Sequence, residues 1–346
     1  MRIGIDAVGG DHAPDEIIKG AAAALEILAD DDSILLVGDR EVCLETLKEL
    51  GVNDDRISVH HAPEHIGMDE SPVEAVREKP NSSLVELCRL GSPKKVKDPL
   101  DVVISAGNTG ACVSAATMNM RRLPGIHRPG IACAIPTFHG PVVLCDVGAN
   151  PEPRPSHLAQ YAVMAETYAR RVLHIDAPSI AQLNIGSEAA KGTAAVKQVR
   201  AMLRDIPDLN YTGYIEGRDL FERAAHVVVT DGFVGNTMLK LAEGLASSLF
   251  KAIAHEVFEA DTDLALRLQP IMQGFIKRND YHEYGGAPLL GVTGCCVICH
   301  GSSEARTIKS AVRAAREFVN ARVNDAIVER VAAIDEHAAE DDPAVA

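Results

Sequence analysis

The sequence predicts an α/β protein in three layers, with a mixed, mostly parallel sheet between two layers of helices. Short β-branched runs alternate with longer helical patterns along almost the whole chain. Most of these runs are apolar throughout, which is typical of strands buried on both faces. Because 47% of the 346 residues are hydrophobic, the chain can bury a large core. We expect a single α/β domain over residues 1–333 and an acidic, mobile tail over 334–346.

Ten short runs rich in β-branched residues are predicted as strands. They are 3–5, 34–37, 57–59, 102–105, 131–135, 142–145, 181–184, 214–216, 227–230 and 296–299. The fifth and sixth runs are too close together in the chain for a crossover helix to connect them. We therefore predict an antiparallel hairpin between these two runs inside the mixed sheet.

Eight segments have apolar residues at every third or fourth position, which is the spacing of a buried helix face. They are 15–29, 40–50, 110–122, 155–171, 188–204, 234–258, 261–277 and 302–332. The segment 79–100 mixes turn residues with one short helix. Because these helices alternate with the strands, they are expected to cover both faces of the sheet.

Charge and composition exclude several classes of protein. The net charge of −15 argues against broad nucleic-acid binding, because phosphate neutralisation needs clustered cations. Neither a signal-like run nor a membrane-length run begins the chain, so we expect a cytoplasmic protein. The eight cysteines are expected to be small buried hydrophobes and not a disulfide framework.

The turns that follow five of the strands are the most informative regularity. In VVISAGNTGA, VVLCDVGANPEP, QLNIGSEAAKG, HVVVTDGFVGN and CVICHGSSEA, an apolar strand passes into Gly, Asn, Ser or Asp before a helix. We expect these turns to meet at one edge of the sheet, because open α/β sheets bind ligands beyond the carboxyl ends of their strands. Plain strand termination and helix capping is the alternative for any single turn. The polar candidates from these turns are Asn108, Thr109, Asp146, Asn150, Asn184, Ser187, Asp231, Asn236 and Ser302.

Lys191 is a candidate anion contact in the segment GSEAAKGT. The segment is not a nucleotide-binding P-loop, because that motif places Gly before Lys and here Lys191 precedes Gly192. We predict that a helix starts here, with Ser187 as a possible cap and Lys191 one turn further on. A solvated surface lysine is the alternative.

His300 ends the run Cys296-Val-Ile-Cys299-His300, which has the C-x-x-C-H spacing of haem attachment and of half a zinc site. Both are rejected, because no second Cys or His pair accompanies the run, and because haem attachment is extracytoplasmic while no signal peptide is expected here. His300 is therefore a candidate site residue, with a hydrogen-bonded core histidine as the alternative. G-x-G-x-x-G is absent from the first turn and G-x-S-x-G is absent altogether, so nicotinamide binding and a serine nucleophile are not indicated.

Eight motifs follow one another along the chain: DAVGGDHAP, SAGNTGA, LCDVGAN, NIGSEAAKG, YIEGRD, VVTDGFVGNTMLK, YGGAPLLG and HGSS. Together they resemble the PlsX family of bacterial phosphate acyltransferases over roughly residues 1–320. The succession of DGFVGN, YGGAPLLG and HGSS carries most of this resemblance, because single Gly-rich turns are common in other families.

The resemblance implies an activity, a fold and a set of partners. The activity is reversible transfer of a fatty acyl group from acyl-carrier protein to inorganic phosphate, giving acyl phosphate for glycerol-3-phosphate acylation in phospholipid synthesis. The implied fold is that of isocitrate and isopropylmalate dehydrogenases, in a cytoplasmic homodimer with loose membrane association. The implied partners are acyl-carrier protein, phosphate, a second copy of the chain and a downstream membrane glycerol-3-phosphate acyltransferase. Neither a cofactor nor a metal ion is expected.

These expectations give the candidate residues their roles in a direct attack of phosphate on the thioester. Ser187, Lys191 and backbone N–H groups are expected to hold phosphate. Asp231 and His300 are the titratable candidates, and either can orient phosphate or protonate the leaving thiolate. The amides expected to orient phosphate or the thioester oxygen are Asn108, Asn184 and Asn236.

Carrier protein is acidic, so its recognition calls for a local basic patch on this acidic chain. The segment MRRLPGIHRPG supplies Arg121, Arg122 and Arg128 without a carboxylate. Two helical patterns over 237–278 show apolar faces wider than one packing surface needs. We predict a helical hairpin that pairs with its copy in a dimer and lines an acyl-chain groove, with packing inside one chain as the alternative.

Two other functions stay open from the residues alone. A β-decarboxylating dehydrogenase shares the implied fold, but it needs an aspartate metal site and a nicotinamide pocket that the sequence does not show. A non-catalytic lipid or carrier-protein binding module is the second. Turnover of acyl-carrier protein separates an enzyme from such a module.

Overall fold

The computed structural model describes residues 1–278 and 285–340, and the side chains of 1–274 and 285–334. Its strands are β1 (Arg2–Asp6), β2 (Ser33–Gly38), β3 (Ile57–His61), β4 (Val102–Ser105), β5 (Gly130–Ile135), β6 (Val142–Cys145), β7 (Ile180–Leu183), β8 (Tyr211–Ile215), β9 (Val227–Val229), β10 (Ala287–Leu290) and β11 (Cys295–Ile298). They form one sheet in the order β3-β2-β1-β4-β11-β10-β5-β6-β9-β7-β8.

The helices are α1 (Asp15–Ala24), α2 (Arg40–Glu49), α3 (Pro72–Glu78), α4 (Ser83–Leu90), α5 (Thr109–Asn119), α6 (Pro155–Arg171), α7 (Ala194–Asp205), α8 (Gly232–Ala260), α9 (Thr262–Arg278), α10 (Ala305–Asn320) and α11 (Val323–Glu340). Short 3₁₀ helices lie at Leu25–Ile27 and Gly217–Glu222. Helices α1, α2, α6, α7, α10 and α11 pack into the core on one sheet face. Helices α3, α4, α5 and the start of α8 pack into the core on the other. The predicted three-layer α/β class is therefore confirmed.

The sheet consists of two parallel halves that run in opposite directions. Strands β1, β2, β3, β4 and β11 are parallel to one another, as are β6, β9, β7 and β8. Between the halves, β10 is antiparallel to both β11 and β5, and β5 is antiparallel to β6. The carboxyl ends of β4 and β11 therefore lie at the opposite edge from those of β6, β7 and β9. The expectation that all five polar turns leave one edge is wrong, because these antiparallel pairs reverse the chain direction.

Some of the strands and helices predicted from side-chain periodicity are present in the structure, and others differ. The hairpin of β5 and β6 is present, with Ala132 paired to Cys145, and helix α6 spans the predicted 155–171. Strand β10 and helix α3 were not predicted. The predicted helix 302–332 is wrong, because α10 and α11 are separate and Arg322 between them has a left-handed backbone with φ 51°. Helix α11 extends to Glu340, so the first part of the predicted tail is helical, and residues 341–346 lie outside the described residues.

The start of α7 also differs from the prediction. The helix begins at Ala194, and the Thr193 hydroxyl caps it by accepting from the amide of Val196. Gly192 has φ 88°, a left-handed conformation that stops the helix from starting earlier. Ser187 and Lys191 therefore lie in the loop before α7 and not in its first turn, which corrects the predicted helical position of Lys191.

Helices α8 and α9 form the predicted hairpin, and much of its apolar surface is exposed. Leu241 and Leu245 on α8 are 67% and 55% exposed, and Leu266 on α9 is 62% exposed. Within residues 1–278 and 285–340, none of the helices combines the length and apolar composition needed to span a bilayer.

Candidate functional site

A cleft of about 200 Å³ lies over the middle of the sheet, where its two halves meet. Apolar side chains of β5 and β11 line it, including Ile131, Cys133 and Ile298. Its polar side chains are Thr109, Asn236, Lys240, Glu243 and His300. Four of the five predicted turns reach the cleft, those after β4 and β11 from one edge and those after β6 and β9 from the other. An apolar surface ringed by a few polar groups is the usual character of a small-molecule site.

The turn after β6 is held by Asp146 and Asn150. The buried carboxylate of Asp146 accepts from the amides of Ile131, Ala149 and Asn150 at 2.9, 3.0 and 2.7 Å. Burial raises the pKa of Asp146, and these three hydrogen bonds oppose the rise. The Asn150 side-chain NH₂ group donates to the Pro129 carbonyl and to the Tyr161 hydroxyl, both at 2.7 Å. Both predicted side chains bind their own protein here, and their turn brings Gly148 to the cleft.

Asn108 has a similar supporting position at the start of α5. Its side-chain oxygen accepts from the amide of Ala111 at 3.0 Å. Its NH₂ group faces the carbonyls of Gly67, Met68 and Glu70 at 3.1–3.3 Å. Asn108 therefore caps the helix and ties a distant loop to it, while the next residue, Thr109, lines the cleft.

Asp231 and Asn236 open helix α8. The Asp231 carboxylate caps the helix by accepting from the amide of Val234 at 2.8 Å. A Cβ atom on Gly235 would lie 2.0 Å from the Asp146 carbonyl oxygen, so glycine is required where the helix meets the turn after β6. This close approach explains the second glycine of the DGFVGN motif. Asn236 is exposed and reaches the cleft, whereas the contacts of Asp231 are those of a helix cap.

His300 lines the cleft at the end of β11. Its Nδ1 atom lies 2.7 Å from the Ser302 hydroxyl and accepts from the Ser302 amide at 3.2 Å. Because Nδ1 accepts this amide hydrogen bond, the neutral ring carries its proton on Nε2. Helix α10 begins at Ala305 with Glu304 as its cap residue, so Ser302 lies before the helix and not in the predicted helix start.

The loop after β7 carries Asn184, Ser187 and Lys191, and none of the three lines the cleft. Ser187 and Lys191 are exposed, and the Lys191 amide donates to the Glu188 carbonyl at 3.0 Å. Asn184 is half-buried, and its NH₂ group has no hydrogen-bond partner in the part of the chain that the structure describes. Phosphate binding by these residues stays a prediction.

The sequence interpretation missed Lys240, Glu243, Cys133 and Cys299, all of which line the cleft. Lys240 follows Asn236 by four residues, so helical spacing from the DGFVGN motif is a signal that would have found it. Burial raises the pKa of the Cys133 and Cys299 thiols to about 12, which keeps them protonated at neutral pH. No group of three or more metal-ligating side chains occurs within the described residues.

The predicted basic patch is exposed and includes one further arginine. Arg121, Arg122 and Arg128 precede β5, and Arg154 lies just before α6. In the part of the chain that the structure describes, none of these guanidinium groups is paired with a carboxylate. The pKa of His157 is lowered, first by burial and then by Arg128, His127 and Arg154. Arg128 and Arg154 therefore both lie near His157.

Comparison with known proteins gives a consistent result. The chain matches the family described as fatty acid synthesis protein over residues 1–326. It is 46% identical to the phosphate acyltransferase of Desulforamulus reducens over 333 residues, covering 95% of this chain and 97% of that protein. It is 45% identical to the phosphate acyltransferase of Heliobacterium modesticaldum over 334 residues, covering 96% of this chain and 98% of that protein.

Solved structures show the same fold at low identity. A phosphotransacetylase from Streptococcus pyogenes superposes with a TM-score of 0.60 at 20% identity, covering 92% of this chain and 94% of that chain. A 4-hydroxythreonine-4-phosphate dehydrogenase from Klebsiella pneumoniae superposes with a TM-score of 0.52 at 11% identity, covering 93% of this chain and 99% of that chain. The predicted likeness to dehydrogenase-type folds is therefore confirmed at the level of the fold.

Proposed function

Because this chain belongs to the fatty acid synthesis protein family and is a phosphate acyltransferase, we propose that its central cleft joins inorganic phosphate to a fatty acyl group delivered by acyl-carrier protein. The observation that carries the assignment to this cleft is its composition. Apolar side chains suit an acyl chain, while Thr109, Asn236 and His300 surround the place where a thioester and an anion must meet.

The proposed step needs no enzyme nucleophile, because phosphate is itself the nucleophile. A phosphate oxygen forms a bond to the thioester carbonyl carbon, and the carbon–sulfur bond then breaks with its electron pair leaving on sulfur. The proton carried by hydrogen phosphate ends on the thiolate, so the products are acyl phosphate and free thiol. The protein has to hold the two reactants together and stabilise the oxyanion of the intermediate.

The polar residues of the cleft have different proposed roles, which follow from their positions. Asn236 carries an amide that can donate to the thioester oxygen, and Thr109 adds a hydroxyl at the first position of α5. Neutral His300, with its proton on Nε2, is proposed to donate that proton to the leaving sulfur and to take up the proton of hydrogen phosphate in exchange. Asp146, Asn150, Asn108 and Asp231 are proposed as the residues that position these groups.

Carrier protein is the proposed acyl donor, and the surface formed by Arg121, Arg122, Arg128 and Arg154 is its proposed docking site. On a protein of net charge −15, arginines without a carboxylate partner among the described residues supply the local attraction that an acidic partner needs. A cytoplasmic homodimer that pairs through α8 and α9 is proposed as the working form. Membrane association and delivery of acyl phosphate to a membrane glycerol-3-phosphate acyltransferase are part of the same proposal.

The function is tested by incubating the purified protein with palmitoyl-carrier protein and phosphate and trapping acyl phosphate as a hydroxamate. We expect hydroxamate to form only when both substrates are present. Asn236→Ala should slow its formation, whereas Ser247→Ala, on an exposed face of the same helix, should not. Release of free fatty acid without hydroxamate would rule out phosphate as the acceptor.

A further inference from the structure

Lys240 and Glu243 lie one turn apart on the α8 wall of the cleft, and the mechanism above uses neither. Their side chains form an ion pair, with the Lys240 Nζ atom 2.9 Å from Oε2 of Glu243. The lysine side chain is 43% exposed and the glutamate side chain 20% exposed. The pair therefore lies at the wall of the cleft, where a ligand can reach the lysine ammonium group.

The charges of the cleft distinguish this pair from the other lining residues. Among the described residues that line the cleft, Lys240 is the sole lysine or arginine and Glu243 is the sole carboxylate. Phosphate enters with negative charge, and the intermediate develops more negative charge on the thioester oxygen. A preorganised cation at this place stabilises both.

The environment of the second carboxylate oxygen of Glu243, Oε1, is unusual. Oε1 is buried and has no hydrogen-bond partner among the described residues, although buried polar atoms nearly always have one. Glu243 and Lys240 also act in opposite senses on the pKa of the buried Cys133 thiol at the cleft. The pair therefore lies close to the apolar lining, with one acceptor oxygen unused.

An ammonium group beside a carboxylate, as in Lys240 and Glu243, suits an anion that still carries a proton. Inorganic phosphate keeps at least one P–OH group at neutral pH, whereas sulfate of similar size and shape keeps none. A P–OH group can donate to a carboxylate oxygen, but an unprotonated oxyanion at the same place is repelled by it. The pair thus has the donor and acceptor arrangement that distinguishes these two anions.

We infer that Lys240 and Glu243 together recognise hydrogen phosphate, the ammonium group donating to a phosphate oxygen and the Glu243 carboxylate accepting from P–OH. This inference rests on the proposed function and names the residues that select its acceptor substrate. Lys240 is a binding residue here, and Glu243 both positions Lys240 and excludes sulfate.

The test combines phosphate kinetics with sulfate inhibition in the hydroxamate assay. Lys240→Met should raise the KM for phosphate roughly 30-fold, the usual loss for one charge-assisted hydrogen bond, and Lys240→Arg should retain most of the affinity. Glu243→Gln should lower the ratio of the sulfate inhibition constant to the phosphate KM about tenfold, because an amide no longer repels sulfate. Lys251→Met, the same change on an exposed part of α8, is the matched control and should leave both constants unchanged.

Titration calorimetry with inorganic phosphate and with sulfate, without carrier protein, separates this inference from the function. Wild-type protein that binds phosphate but forms no hydroxamate would contradict the proposed function alone. Unchanged phosphate affinity in Lys240→Met, or unchanged discrimination against sulfate in Glu243→Gln, would overturn the inference. Circular dichroism melts of each variant identify loss of folding, and Lys240→Arg supplies the comparison if the methionine variant unfolds.

Discussion

The carboxyl group of Asp6 is buried at the end of β1 and supports the turn after β4. It accepts from the Ser105 hydroxyl at 2.8 Å, and the Ser105 oxygen accepts from the Gly107 amide at 3.1 Å. Burial raises the pKa of Asp6, and the hydrogen bond from Ser105 opposes the rise. A side chain without contact to the cleft therefore helps to hold the backbone that leads to Thr109.

The raised pKa predicts how the stability of an Asp6→Asn variant depends on pH. Because the folded carboxyl group holds its proton more tightly than the unfolded one, its contribution is most favourable below the unfolded pKa of 3.8. That contribution is lost as pH rises through the raised folded pKa. Asparagine does not ionise, so the unfolding free energy of the variant minus that of the wild type should increase with pH.

Urea denaturation at about pH 4.5 and about pH 8 measures this difference for both proteins. A difference that stays the same at the two pH values would show that Asp6 does not titrate between them. A fall in catalysis without a fall in stability would indicate that the turn is the part disturbed.

The contact between His300 and Ser302 is also compatible with a second mechanism, in which Ser302 is the nucleophile. A hydroxyl 2.7 Å from an imidazole nitrogen resembles an activated nucleophile, although the two residues also share an ordinary turn hydrogen bond. We predict that Ser302→Ala retains activity to within about threefold, since phosphate attacks directly and the hydroxyl only orients the ring. His300→Ala should cost about 100-fold or more, the typical contribution of an acid or base.

Intact-mass spectrometry with acyl-carrier protein in the absence of phosphate checks the same point. Only unmodified protein is expected, because the Cys133 and Cys299 thiols are protonated and Ser302 is not the nucleophile. A stoichiometric acyl adduct on any of these three side chains would contradict direct transfer.

At the scale of elements, helices α8 and α9 carry an exposed apolar stripe that needs a partner. Leu249 and Ile253 are 53% and 50% exposed, and they continue the stripe begun by Leu241 and Leu245. A groove of about 450 Å³ between the two helices is lined by Phe250, Val257 and Met272, among other residues. A second copy of the hairpin would cover the stripe and leave the groove beside it for an acyl chain.

Leu249→Glu tests this pairing. Burying an unpaired carboxylate in each copy should raise the dimer dissociation constant at least about 100-fold and lower activity on long acyl chains. Sedimentation velocity measures the dissociation, with Ser247→Glu on an exposed part of the same helix as the control. A dimer that survives with unchanged chain-length preference would place the interface elsewhere.

At the scale of the whole molecule, charge is distributed unevenly. The chain has a net charge of −15, yet the exposed side chains of Arg121, Arg122, Arg128 and Arg154 have no paired carboxylates among the described residues. Long-range repulsion of an acidic partner is screened by salt, while close contacts with arginine persist. Docking is therefore expected to depend on this surface more than on net charge.

Arg128→Glu should raise the KM for palmitoyl-carrier protein about tenfold and leave the KM for phosphate unchanged. Steady-state kinetics at low and high salt measure both constants, and salt should reduce the difference from wild type. Lys48→Glu, an equal charge change on α2 near the far edge of the sheet, should have little effect. If the KM for palmitoyl-carrier protein rises equally in the two variants, docking depends only on the total charge.

The sequence by itself determined the α/β class, the hairpin of β5 and β6, helix α6 and most of the polar turns that reach the cleft. These features depend on side-chain periodicity and turn chemistry within about ten residues, which the sequence displays directly. The family was also recognisable, because its motifs are local and keep their order along the chain.

Only the tertiary structure decided how the turns meet and which side chains face the ligand. The three antiparallel pairs β11–β10, β10–β5 and β5–β6 reverse the strand direction between the two halves of the sheet, so the turns enter the cleft from opposite edges. The Asn108 side chain is hydrogen-bonded to carbonyl groups about 40 residues away. The Asp146 carboxylate accepts from the amide of Ile131 on the neighbouring strand. Lys240 lies in the cleft while Lys191 lies in a loop outside it. Each outcome depends on which distant segments become neighbours, and side-chain periodicity along the chain carries no information about that.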